Sequence, residues 1–398
     1  MRLFKKAEKD IGAGDFGYLS EDEVYFDSAC QSLRPQPVID AICEYYREYS
    51  SCGERVKYEW GRRTDREVAA TRAGVLKMLK LSEKKYFVSF TLNTTYGLNL
   101  ILGQLRTGVV KKVITTDIEH NSPFLATMAF AKKHRVKREV LTRKDDGSID
   151  LKKADFKDAL VVVGSVSNID GRKLKNLHEL VEKVHKSGGI VIVDAAQAMA
   201  HSREVMEGCG ADAIVFSAHK MYSASLGVMV VKKDLLSKIE SSFIGGGMVD
   251  DANRDGYKLS SGSDHHIHTV FEAGLQGWAE IVALGAAMKW LKKAEKNKGE
   301  LMRLSKKLHD FLKTKKNVVV INKEVGPVIA FYHKKIDGHL LASGMSGKGI
   351  MARSGYFCCH YYLDHVKKYP PVVRFSLGYH TREGDVERAI EVLDKVLS

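Results

Sequence analysis

Two charged residues at the ends of neighbouring apolar runs carry the most chemistry in this sequence: Asp194 closes IVIVDAAQ, and Lys220 follows AIVFSAHK. Taken singly, the first is also what a strand cap looks like and the second what a solvated lysine looks like. Together they fit the needs of pyridoxal phosphate. That cofactor requires a lysine amine to form an imine, a carboxylate to keep its ring nitrogen protonated, and donors for a dianionic phosphate. Lys220 would form the imine and Asp194 the pyridinium salt bridge, while a helix beginning at Thr94-Thr95 would offer free backbone N–H groups and its dipole to the phosphate. Ser217 and His219 flank the lysine as further donors, and His120, in DIEHNSP, is placed to stack a flat imidazole on the ring. A histidine satisfied within its own loop has the same local pattern.

The elements that must hold these residues are legible as short apolar runs alternating with amphipathic stretches. Runs at 86–91, 109–117, 159–167, 189–197, 213–220 and 226–233 predict strands. The segments TTYGLNLILGQL, SPFLATMAFAKKHR and KLKNLHELVEKVHKSGG carry apolar residues at three- and four-residue spacing and predict helices, the last stopped by Gly188-Gly189. Strands apolar at every position, with helices between them, predict an α/β fold whose doubly wound, mainly parallel sheet is covered on both faces. A polar stretch at 249–268 and the helical run GWAEIVALGAAMKWLKKAEK precede a change of pattern. The expected division is an N-terminal arm (1–20), a large cofactor-binding domain (21–295) and a smaller α+β domain (296–398) with two helices and the strands VVVIN, VIAFYH and VVRFSLG.

Composition narrows the class. With 44% hydrophobic and 28% charged residues in 398, the chain has the makings of sizeable cores and is neither disordered nor collagen-like. No run approaches the length of a membrane span, and the N-terminus lacks the apolar centre of a signal peptide, so a cytoplasmic protein with no membrane partner is expected. Six unevenly spaced cysteines predict free thiols rather than a disulfide framework. The net charge of +14 favours anionic partners, but the lysines are scattered in short pairs, which reads as a solvated basic surface rather than a nucleic-acid groove.

In order along the chain, YFDSACQSLRPQPVID, FTLNTTYGLNL, DIEHNSP, SVSNIDG, VDAAQAMAH, FSAHKMY, FEAG, GIMARSGYFCC and VVRFSLGYHT resemble the class V, fold-type I pyridoxal-phosphate enzymes, most closely the Suf-type cysteine desulfurases. The resemblance runs from about Tyr25 to the end. It implies Lys220 as the Schiff-base lysine, Asp194 and Gln197 at the pyridine nitrogen and phenolic oxygen, His120 on the ring face, and Thr95, Ser217 and His219 on the phosphate. It implies Asn168 near the cofactor oxygen and substrate, Arg374 as a bidentate grip on the substrate carboxylate, and Arg353 and Ala29 beside it. Cys358 falls at the family's catalytic cysteine. The implied reaction turns L-cysteine into L-alanine and a Cys358 persulfide, in a homodimer that passes sulfur to an acceptor or scaffold protein for iron–sulfur assembly or thiolation. A selenocysteine lyase, an aminotransferase, another Cα/Cβ lyase or an RNA-linked sulfur relay are the alternatives.

Some positions depart from the pattern. Glu54 and Tyr58 stand near an expected imidazole, and Leu275-Gln276 replace a threonine-proline whose hydroxyl reaches the other subunit's phosphate. Cys359, His360 and His365 follow Cys358 with spacing that does not suit zinc, so no metal is expected. His265, His266 and His268 are expected to be polar residues of an active-site loop, and Cys30 is a second thiol in a small-residue position beside the substrate.

Overall fold

Alternate residues of the central strands feed two separate cores, which is why those strands are apolar at every position. The computed structural model describes residues 13–54, 56–260 and 266–397; most of the expected arm and His265 lie outside them. Its seven-stranded sheet is built from β1 (Tyr86–Thr91), β2 (Lys112–Thr116), β3 (Lys137–Leu141), β4 (Ala159–Gly164), β5 (Ile190–Asp194), β6 (Ala213–Ser217) and β7 (Gly227–Lys232), in the order β1-β7-β6-β5-β4-β2-β3. Val161, Val163, Val191 and Val193 join one core, and Leu160, Val162, Ile190 and Ile192 the other. On a pleated strand neighbouring side chains point to opposite faces, so helices on both sides demand an unbroken apolar run.

The first face is covered by α2 (Glu59–Met78), α5 (Leu177–Lys186) and α6 (Trp278–Ala294), with α1 (Gln36–Glu48) packed on α6; the second by α3 (Thr94–Gln104) and α4 (Asn121–His134). Val181 and Val184 of α5 and Leu98 and Ile101 of α3 are fully or almost fully buried there. At roughly 25 cal/mol per Å² of apolar area, each such side chain contributes about 1.5–3 kcal/mol toward holding its helix on the sheet. α5 ends as expected, with Gly188 at φ +76°, a left-handed position that favours glycine.

The sheet is mainly parallel, as expected, with one strand the exception. β7 runs antiparallel to both neighbours while the remaining pairs are parallel. The nine residues from Ala218 to Leu226 that join β6 to β7 make a tight return, and a parallel neighbour would need a crossover of a dozen residues or more. β3 was not anticipated; as a half-exposed edge strand with the sequence KREVL it lacks the apolar run of its neighbours.

A second sheet contains β8 (Val318–Val320), β9 (Val328–His333), β10 (Arg353–Gly355) and β11 (Val372–Ser376), ordered β8-β9-β11-β10 and antiparallel throughout. α7 (Lys298–Thr314), α8 (Gly338–Ser346) and α9 (Glu383–Leu397) accompany it. Residues from the other end of the chain reach this region. Val24–Tyr25 pairs with Ile350–Met351, and Asp27 bridges to Ser376. That crossing carries Asp27, Ala29 and Cys30 to the place where the two sheets meet. Among the described residues no helix is long and apolar enough to cross a membrane.

Candidate active site

The carboxyl ends of β4, β5 and β6 open onto a cavity of about 310 Å³. Ligands of open α/β sheets gather at such strand ends, because the loops diverge there and the following helices start there. Asp194 is the last residue of β5, Ser217 the last of β6, and Lys220 ends the short 3-10 turn Ala218–Lys220 that follows. All three line the cavity with Thr94, Thr95, His120, Asn168, Gln197, His219, Ala29, Arg353, Arg374 and Cys358, so every sequence-predicted site residue reaches one space.

The Lys220 and Asp194 environments are complementary. Burial pushes the Lys220 amine below its ordinary range, with Asp194 opposing that shift; burial raises the Asp194 carboxyl, opposed by the Ala196 N–H and by Lys220. One Asp194 oxygen accepts from Ala196 N at 2.9 Å. Deeper in the floor, burial lifts Glu119 to about 7 against the pull of Arg143, Thr116 and the Gly164 N–H. Arg143 Nη1 lies 3.9 Å from Glu119 and Nη2 has no hydrogen-bond partner among the described residues.

α3 begins where expected. Asn93 caps it by accepting from Tyr96 N at 2.9 Å, and Ser217 Oγ accepts from Thr94 N at 2.9 Å. Thr94 Oγ1 and Ser217 Oγ are 2.6 Å apart, as are Thr95 Oγ1 and Ser122 Oγ. A Cβ on Gly227, at the start of β7, would sit 2.6 Å from Asn93 N, so glycine lets the strand pass directly beneath the cap. His120 caps α4: its Nδ1 accepts from Ser122 N at 3.1 Å, which assigns the ring proton to Nε2. Burial, with help from Lys220 and Arg374, pushes His120 down to about 4, and burial with Lys220 and Arg34 does the same to His219. Both rings are neutral at physiological pH.

Asp27 organises the opposite wall. Its two oxygens accept from Arg353 Nε and Arg374 Nη2, each at 3.0 Å, and Arg374 Nη1 donates to the Asn168 carbonyl at 2.9 Å. Arg374 is buried and its Nε is left without a partner among the described residues. An unpaired guanidinium N–H costs about 1–3 kcal/mol when buried, and Arg374 also lines the cavity, where its charge can meet an incoming carboxylate. Ala29 is fixed between Ser376 Oγ, which accepts from its N–H at 2.9 Å, and Gln197 Nε2, which donates to its carbonyl at 2.7 Å.

Cys358 sits exposed at the mouth on a turn with two left-handed residues, Phe357 at φ +48° and Cys358 at φ +58°. Such positions cost about 1–3 kcal/mol each and persist only where surroundings impose them. Here Asn121 N donates to the Cys358 carbonyl at 2.6 Å, Asn168 Nδ2 donates to the Phe357 carbonyl at 2.8 Å, and the Arg374 guanidinium lies 4.8 Å over the Phe357 ring. Cys359 is the reverse of its neighbour: buried, its Sγ–H donated to Asn168 Oδ1 at 3.0 Å, its thiol pushed far up by burial. Asn168 thus spends its amide on the cysteine turn.

The departures from the family pattern collect elsewhere. Glu54 Oε1 accepts from His268 Nε2 at 2.8 Å, beside a separate cavity lined by Leu275 and Gln276. Glu54, His268 and Glu272 are close enough to share a cation, but Glu272 is already held in a fork by Arg72 at 2.7 Å on both oxygens. Tyr58 and His365 are exposed, and with Cys359 turned inward the Cys-Cys-His-His string does not converge. Asp27, Glu119, Arg143, Ser122 and Phe357 are site residues that sequence reasoning missed. Asp27 had a signal, an acid directly after the apolar pair Tyr25-Phe26 and before small residues.

The chain matches the model of the aminotransferase class-V family over residues 24–389, and it belongs to that family. A probable cysteine desulfurase of Pyrococcus abyssi is 30% identical, with 100% of this chain and 98% of the relative covered. One from Haemophilus influenzae is 29% identical over 96% of this chain and 88% of the relative. Among solved structures, an apo cysteine desulfurase from Thermococcus onnurineus superposes with a TM-score of 0.85 at 26% identity, covering 100% of this chain and 98% of that one.

Proposed function

We propose that this chain is a pyridoxal-phosphate-dependent cysteine desulfurase that converts L-cysteine to L-alanine and carries the sulfur as a Cys358 persulfide. The observation that carries the reading is one cavity lined by a lysine, a strand-end carboxylate, a buried arginine and an exposed thiol. The donor set fits the cofactor. Thr95 at the start of α3, Ser217 at the end of β6 and His219 in the turn after it suit a phosphate, Asp194 has an oxygen to offer a ring nitrogen, and Lys220 has no hydrogen-bond partner among the described residues. Bound there, the cofactor supplies an electron sink that makes the substrate's Cα and Cβ bonds labile.

The chain's own groups do the rest. The Arg374 guanidinium takes the substrate carboxylate on the side that lines the cavity, and Asp27 and the Asn168 carbonyl keep it from rotating. Neutral His120 would lie against the ring of the bound cofactor, and Lys220 would hold and move the proton at the substrate Cα. The Cys358 thiolate attacks the substrate Sγ: an S–S bond forms, the C–S bond breaks with its electron pair kept on the carbon side, and once Cβ and Cα are protonated the skeleton leaves as alanine. The same reading takes the enzyme to be a homodimer of chains with a large unit (21–295) and a small unit (296–398), serving a sulfur-acceptor protein.

Alanine and sulfide released from L-cysteine with a reductant test the reading, in wild type and Cys358→Ser, alongside the absorbance spectrum. Equal amounts from wild type and neither from the serine variant are expected. Cofactor absorbance without alanine would move the chain to another class V reaction.

A further inference from the structure

We propose that Cys30 is a second sulfur carrier: its thiolate takes the outer sulfur of the Cys358 persulfide, so one chain stores two sulfane sulfurs before an acceptor arrives. The inference rests on the desulfurase reading and adds a step to it.

Cys30 and Cys358 line the same cavity, together with Lys220. They ride on turns tied to the same pair of guanidiniums. The Cys30 turn is closed by its N–H on the Asp27 carbonyl at 3.0 Å, and the Asp27 carboxylate accepts from both Arg353 and Arg374. The Cys358 turn follows directly from β10, which begins at Arg353, and places Phe357 against Arg374. Burial works against the Arg353 charge, yet Asp27, Cys30 and Cys358 together hold it above its ordinary pKa, so both thiols lie within electrostatic reach of one cation.

The other cysteines are placed differently. Cys359, although next in sequence to Cys358, is buried, donates to Asn168 and does not line the cavity. Neither Cys43, Cys52 nor Cys209 lines it either.

In the step, the Cys30 thiolate attacks the outer sulfur of the Cys358 persulfide. A new S–S bond forms to Cys30 Sγ, the S–S bond to Cys358 Sγ breaks, and its electron pair stays on Cys358 as a thiolate. Nothing is oxidised or reduced overall. The released thiolate is the nucleophile for the next L-cysteine, so the exchange restores the mouth of the site without a reductant.

The test mixes holoenzyme with excess L-cysteine in the absence of acceptor thiols, quenches with an alkylating agent, counts alanine, and locates sulfane sulfur by peptide mass spectrometry. Wild type is expected to release two alanines per chain in the burst and to carry persulfide on both Cys30 and Cys358. Cys30→Ala stops at one, with its sulfur on Cys358, while the Cys43→Ala control keeps two. Should Cys30→Ala fold poorly, Cys30→Ser serves with the same expectation. A wild-type burst of one alanine, or a two-sulfur chain on Cys358 that survives in the Cys30 variant, overturns the relay and leaves the desulfurase reading standing. No alanine from wild type overturns both.

Discussion

The two walls of the cavity are built on different principles. On one, Asp194, Ser217 and Lys220 stand at the ends of β5 and β6, where backbone register in a fully buried sheet sets their positions. On the other, Asp27, Arg353, Arg374 and Cys358 are aligned by side-chain hydrogen bonds and by a turn with two left-handed residues. The strand-end wall inherits the rigidity of the sheet. The thiol wall depends on a few contacts, each replaceable, which suits the wall that must meet a substrate carboxylate and then release a sulfur.

The sharpest contrast comes from removing one group from each wall. Lys220→Ala should reduce alanine formation to background and abolish the imine absorbance while the chain still folds, since no hydrogen bond to the lysine side chain is lost and only the charge beside Asp194 is removed. A variant that kept the absorbance would show that another amine holds the cofactor. Asp27→Asn should leave the absorbance intact but raise KM for L-cysteine, lowering kcat/KM by roughly thirty- to 160-fold, about 2–3 kcal/mol, because the buried Arg374 loses its charged partner. Unaltered kinetics would mean that Arg374 needs no help in facing the substrate.

A smaller effect separates binding from sulfur transfer within the thiol wall. Asn168→Ala frees the Phe357 carbonyl and the Cys359 thiol, and should slow persulfide formation by about 1 kcal/mol, roughly fivefold, with little change in KM. Equal changes in both would show that Asn168 also touches substrate.

Acid should act least on the chemistry and mainly on stability. Burial pushes His120, His219 and His380 down to about 4 and His201 to about 3. Unfolded, these rings gain a proton near 6.5, so the unfolded state binds more protons between about 6.5 and 4 and stability falls as pH drops through that window. Glu119 acts in the opposite sense. It keeps its proton up to about 7 when folded, so its contribution to stability is present below about 4.5 and is lost as pH rises toward 7. Four histidines outweigh one glutamate, and the melting midpoint should decline on acidification below about pH 6. A midpoint constant between pH 7 and 5 would contradict the buried, neutral state of these rings.

How legible each wall was in the sequence follows from the same difference. Asp194, Lys220 and the start of α3 could be found because periodicity marks where strands end and helices begin, and strand ends are where the site lies. The antiparallel direction of β7 could not be found that way, since a strand buried on both faces looks alike in either direction and only the shortness of the link from Ser217 to Gly227 decides it. The linking role of Asp27 was missed because its partners Arg353 and Arg374 are more than three hundred positions away.

The sequence by itself determined the two-faced sheet, the helices around it, and a lysine and a carboxylate at neighbouring strand ends that suit one chemistry, because local periodicity and residue type survive in one dimension; the thiol at Cys358 was marked by the resemblance of its motif. Only the tertiary structure decided that Arg374 is held by Asp27 and the Asn168 carbonyl, and that Cys359 is locked away while Cys358 is exposed. Those outcomes depend on burial and on contacts between distant segments, and neither is encoded in the spacing of neighbouring residues.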